Sequence, residues 1–194
     1  MSVVKVKIDT WFPDNRKQTC GGSLLDPARV ITTASCFFSI SGGKKFVRAR
    51  LTLGAHNVQD LTGDEKVIYA TPTDVIIHPD YRSPGLKSND IAIVFIPHPE
   101  DQAEIKKHPK IGPICLPSPA SYQDLDGKSA VAVGWGQTGF HDPPSPVLLE
   151  VDLTIVSLEE CQKSYSATRF SDSVDDTVIC AGRGDRTGDT CKGL

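Results

Sequence analysis

The side chains with chemical potential here are six cysteines, five histidines and a small group of acids. The cysteine count is even and no Cys-x-x-Cys pair occurs, which argues against a zinc ribbon or a dithiol redox motif. A disulfide framework fits better, and it implies an oxidising compartment. The spacing does not by itself choose among the possible connectivities. Of the histidines, His56, His78, His98, His108 and His141, three directly precede prolines (His78, His98 and His108). All five read as surface-loop residues rather than catalysts or ligands. Asp60, Asp64 and Glu65 are too weakly arranged to hold calcium. No metal and no cofactor is expected.

The elements that must position this chemistry read as strands. Gly (16) and Pro (14) are plentiful between short apolar runs, and helix-period patterns are scarce, so the fold class is all-β. Val4, Val6 and Ile8 alternate with lysines, the pattern of a half-buried strand. The cysteines at 20 and 36 bracket a strand, a turn at Asp26-Pro27 and a second strand. Further strands are expected at Phe46 to Leu53, Lys66 to Ala70, Asp74 to His78, Ile91 to Val94, Ser129 to Gly134, Leu148 to Val156 and Val178 to Gly182. Pro97 to Lys110 is polar and proline-rich and reads as a connection between two halves. Ser157-Leu158-Glu159-Glu160 has a capping-box form, so a short helix should carry Cys161.

Composition limits the function. Apolar residues at 39% suffice for a packed core, and the formal net charge of −3 argues against nucleic acid or acidic membrane surfaces as partners. The longest apolar run, Ile91 to Pro97, is far too short to span a bilayer. The first residues lack the apolar run and cleavage site of a signal peptide.

Five landmarks occur in order: Cys20-Gly21-Gly22; Thr32-Thr33-Ala34-Ser35-Cys36; Asn89-Asp90-Ile91-Ala92; Pro113-Ile114-Cys115-Leu116-Pro117; and Gly134-Trp135-Gly136. Together they resemble the trypsin-like serine proteases over almost the whole chain, and the loops look similar to those of arthropod clotting and melanisation proteases. The resemblance implies a double Greek-key β-barrel: one six-stranded barrel, nearly complete, and a second truncated at its C-terminus. A single domain over 1–194 is expected, with an N-terminal barrel (1–107), a crossover (108–120) and a partial C-terminal barrel (121–194).

The resemblance also assigns roles. Hydrolysis in this family, whose own triad is the general template for such chemistry, needs a serine activated by an imidazole that a buried aspartate holds. Asp90 matches that aspartate. Ser35 stands where the family has its histidine, and a hydroxyl cannot accept a proton near neutral pH as imidazole can. Asp189 matches the base of the pocket that selects Lys or Arg side chains, and Gly193 begins the stretch in which the nucleophile is expected, where this sequence reads Gly193-Leu194. The implied disulfides are Cys20–Cys36 and Cys161–Cys180. Cys115 matches a cysteine that in many relatives ties the protease domain to an upstream segment, and Cys191 one that pairs further along. Two free thiols, or a bond between them, are the alternative. The expectation is a secreted, non-catalytic homologue whose partner is a protein or peptide of a protease cascade. A shortened form of an active Lys/Arg-specific endopeptidase is the competing reading. A third is integrin-type adhesion through Arg183-Gly184-Asp185.

Overall fold

The computed structural model describes residues 5–38, 45–81, 89–118, 125–139, 141–168, 171 and 174–183. Its larger sheet is built from β1 (Lys5–Trp11), β2 (Lys17–Asp26), β3 (Arg29–Thr32), β4 (Arg48–Leu53), β5 (Lys66–Ala70), β6 (Val75–Ile77) and β7 (Ala92–Phe95). The strand order is β5-β4-β1-β2-β3-β7-β6, and every pairing is antiparallel. β1, β2 and β3 follow one another as hairpins and β4 returns beside β1, which is the Greek-key arrangement.

The sheet has to curl. Its two edge strands, β5 and β6, are joined through only Thr71 to Asp74. Five residue steps reach at most about 17 Å, whereas seven strands laid flat would separate the edges by about 29 Å. The sheet counts seven strands where the family resemblance implied six; the strands expected at Lys66 to Ala70 and Asp74 to His78 are separate, and between them Pro72 opens a short 3₁₀ turn, Pro72–Asp74. Proline has no N–H to give to a ladder. Thr71 and Asp74 then close the turn, with the Thr71 N–H donating to Asp74 Oδ2 at 2.7 Å. The turn thereby carries the chain from β5, paired with β4, to β6, paired with β7.

The inside of the curl is filled by alternate residues. Val6, Ile8 and Thr10 of β1 are buried, and Leu24, Val30, Leu51, Leu53, Ile68, Val94 and Phe37 join Val6 and Ile8 in one core. Val94 sits at its centre by register, opposite Val30 on one side and Val75 on the other. Gly22 is required by close packing: a Cβ there would lie 3.0 Å from the Ile31 carbonyl oxygen and 3.0 Å from Ile8 Cδ1.

The smaller sheet has the order β10-β9-β8, from β8 (Ser129–Gly134), β9 (Leu149–Val156) and β10 (Cys180–Gly182). The expected short helix is present as α2 (Leu158–Tyr165), with the Ser157 side chain accepting the Glu160 N–H and Cys161 on its buried side. Pro97 to Lys110 is not merely a connection. It contains a nine-residue helix, α1 (Pro99–Lys107). Pro99 takes the first helical position, where no N–H is needed. Glu100 and Asp101 at its start and Lys106 and Lys107 at its end complement the helix dipole. Ile105 is its buried anchor.

The two sheets are tied by backbone bonds, Val58 N–H to the Pro146 carbonyl and Leu148 N–H to the His56 carbonyl, each 2.8 Å. Buried Trp135 adds its indole N–H to the His56 carbonyl at 3.1 Å. Among the described residues no helix is long and apolar enough to cross a membrane.

Candidate functional site

The site begins with the pairing of β3 and β7. Thr32 lies opposite Ala92. Antiparallel strands continue past that pair in opposite directions, so the residues just after Thr32 meet those just before Ala92. Ser35 and Asp90, fifty-five positions apart, are thus brought together, and the Ser35 backbone N–H donates to Asp90 Oδ1 at 2.7 Å.

Ser35 lies in a 3₁₀ turn, Ala34–Phe37, fastened from several sides. The Cys20–Cys36 disulfide ties the turn to β2. From inside the barrel, the buried Thr10 hydroxyl donates to the Cys36 carbonyl at 2.9 Å. Gln18 Nε2 donates to the Ser35 carbonyl at 3.3 Å. The Ser35 hydroxyl itself donates to Thr33 Oγ1 at 3.2 Å. Asp90 follows Asn89, which takes a left-handed backbone (φ 57°), a conformation asparagine tolerates better than most residues. The Asn89 N–H donates to Thr177 Oγ1 at 3.1 Å and so anchors this corner to the chain that leads into β10.

Ser35 and Asp90 line a cleft of about 890 Å³ whose walls come from both sheets, including Lys5, His78, Val133 and Thr177. Burial pushes the Lys5 ammonium below its ordinary pKa. His78 was not expected at a site. It enters because β6 ends beside β7, with the His78 N–H donating to the Ile91 carbonyl at 3.1 Å. Its Nδ1 accepts the Asp80 N–H at 3.1 Å. The sequence signal was its place at the end of the expected strand Asp74 to His78, directly after the apolar run Val75-Ile76-Ile77.

Among the described residues, the donor to the Asp90 carboxylate is a backbone amide and not an imidazole. Such a corner can bind a peptide through hydroxyls, amides and one carboxylate. Its Ser35 hydroxyl cannot hold a proton taken from a nucleophile near neutral pH. The other expected residues are more scattered. Cys161 and Cys180 are bridged, joining α2 to β10. Cys115 is a free, exposed thiol. Asp189, Gly193, Cys191, Gly184 and Asp185 lie outside the described residues. Of the acids weighed in the sequence, Asp64 pairs with Lys110 at 2.6 Å, and Glu65 accepts the Gly63 N–H at 3.0 Å.

Comparison with known proteins agrees with this architecture. The family model described as Trypsin matches residues 2–193. The CLIP domain-containing serine protease B4 of Anopheles gambiae is 36% identical over 183 residues, covering 90% of this chain and 48% of that protein. The proclotting enzyme of Tachypleus tridentatus is 32% identical over 182 residues, 92% of this chain and 46% of that one. The inactive CLIP domain-containing serine protease A8 of Anopheles gambiae is 29% identical over 195 residues, 96% of this chain and 49% of its own length. The chain therefore spans about half the length of these relatives. A solved structure, that of GrC, superposes with a TM-score of 0.73 at 24% identity, over 95% of this chain and 72% of the other, which supports the fold. The chain belongs to the trypsin-like family of serine proteases.

Proposed function

We propose that this protein is a non-catalytic, secreted member of a protease cascade that binds a protein partner in a protease-shaped cleft without cleaving it. What supports the reading is Ser35, which stands in the sequence where the family resemblance expects the histidine and whose backbone N–H donates to Asp90 Oδ1. Ser35 is internal, so the reading does not depend on what precedes or follows the sequence. Two disulfides favour an oxidising, extracellular setting. Relatives named for clotting and for an inactive protease make a regulatory partner in such a cascade the natural expectation.

An active endopeptidase is the second reading, favoured by the 36% identity to a relative named as a serine protease. Turnover of an arginine anilide separates the two. The proposed function requires rates at background, and hydrolysis that depends on Asp90 would select the second reading.

A further inference from the structure

The outer face of the larger sheet carries a cluster that the cleft does not use. Register places Asp9 of β1 between Thr19 of β2 and Arg50 of β4, and Trp11 between Lys17 and Arg48. The Asp9 side chain is fully buried, although it sits on the strand face opposite the core. Its two oxygens accept Lys7 Nζ at 2.6 Å, the Thr19 hydroxyl at 2.7 Å and an Arg50 guanidinium nitrogen at 2.9 Å, with Lys17 Nζ at 3.7 Å. A carboxylate offers about four lone-pair sites, so Asp9 is saturated.

The cations around it are not. Arg48 lies over the Trp11 ring at 4.9 Å and near the Tyr69 ring at 6.0 Å, held by aromatic faces. Among the described residues no carboxylate is paired with it. Arg50 is 5.9 Å from the Trp11 ring, and its buried Nε–H has no acceptor among the described residues. Lys7, Lys17, Arg48 and Arg50 therefore face one carboxylate, a local positive excess in a chain whose net charge is −3. Tyr69 is 56% exposed beside them and supplies an apolar surface.

We infer that this face is a docking surface for an acidic, aromatic-containing peptide segment of a partner protein. Charge complementarity selects the acidic side chains: Arg48 keeps its donors free while the rings hold its guanidinium in place. The rings favour peptide over a purely ionic glycan, because stacked guanidinium and tyrosine surfaces reward side chains that bring both a carboxylate and an apolar body. Asp9, Trp11, Lys17, Arg48 and Arg50 lie on β1, β2 and β4, which are paired on both sides, so recognition runs through side chains. The inference is independent of whether the cleft hydrolyses peptides.

The test is fluorescence anisotropy with a tagged hexapeptide of alternating glutamate and tyrosine, on the native protein, Arg48→Glu, Lys17→Glu and, as a control on the other sheet, Lys128→Glu. Melting curves confirm that each variant is folded. Arg48→Glu and Lys17→Glu are expected to weaken binding by about tenfold or more. Lys128→Glu should be near neutral, and binding should fall steeply between about 0.1 and 1 M salt as screening shortens. No binding by the native protein, equal losses in all three variants, or capture of a sulfated oligosaccharide in place of the peptide would each overturn the inference.

Discussion

Replacing Asp9 with asparagine should destabilise the protein strongly and in a pH-dependent way. Burial would raise the Asp9 pKa, but hydrogen bonds from Lys7, Thr19 and Arg50 and the charge of Lys7 outweigh it and hold it at about 2, against an ordinary 3.8. That difference corresponds to roughly 2 kcal/mol favouring the folded state when Asp9 is ionised. Lys7 adds to the cost. Its side chain is only 13% exposed, burial already lowers its pKa, and Lys17 and Arg50 push in the same direction. Without Asp9, Lys7 would face both cations unpaired, a situation that costs about 3–5 kcal/mol in buried pairs. Asp9→Asn should therefore cost about 3 kcal/mol at pH 7, a fall in melting temperature on the order of 10 °C for a chain of this size. Because the folded pKa is depressed, the contribution is complete above about pH 4 and is lost as pH falls through about 2. Denaturant unfolding of both proteins from pH 2 to 7 reads this directly. A difference that stays flat across the range would refute the electrostatic account, as would an Asp9 carboxyl that titrates at its ordinary value by carbon-13 NMR.

Further outcomes follow from the core and the corner of the cleft. Gly22→Ala places a methyl 3.0 Å from the Ile31 carbonyl oxygen and should cost about 1–3 kcal/mol, whereas Gly21→Ala, with nothing within 4 Å, should melt like the native protein. Equal melting temperatures for the two variants would contradict the packing argument. Asp90→Ala removes the acceptor of the Ser35 N–H and should cost about 1–3 kcal/mol in denaturant unfolding. An unchanged midpoint would mean that the bond does not hold the turn.

Much of the architecture was legible because its signals are local. Alternation at Val6 and Ile8 and glycine or proline punctuation located the strands, and the serine at 157 with glutamate at 160 marked α2. The α1 helix was misread because its prolines and charges look like a linker. Its evidence lay in their order, with proline and acids first and lysines last. The break between β5 and β6 was legible, because Pro72 falls between two apolar runs, but that the chain resumes on the opposite edge of the sheet was not. At the site, Ser35 and Asp90 could be singled out through the family resemblance, but their hydrogen bond depends on the register of β3 and β7. His78 joins the cleft by the same register. The Asp9 cluster was illegible for a related reason: an aspartate between lysines in an alternating strand reads as solvated surface, and only the flanking strands bring Thr19 and Arg50 over it.

The central claim is that Ser35 deprives this fold of its catalytic base, and the most direct test is amidase turnover on an arginine anilide. The full-length natural protein should show no trypsin-like turnover, whether or not its chain continues through a Gly-Asp-Ser-Gly-Gly stretch. If it does so, with a serine, a pocket and a freed N-terminus in place, losing one triad member still leaves only roughly 10³ to 10⁴ over water in the family's own template. Ser35→His in that form should then restore trypsin-like rates, and adding Asp90→Ala should remove most of the gain, because triad members act as a unit. Robust turnover by the unmodified protein, abolished by Asp90→Ala, would contradict the account.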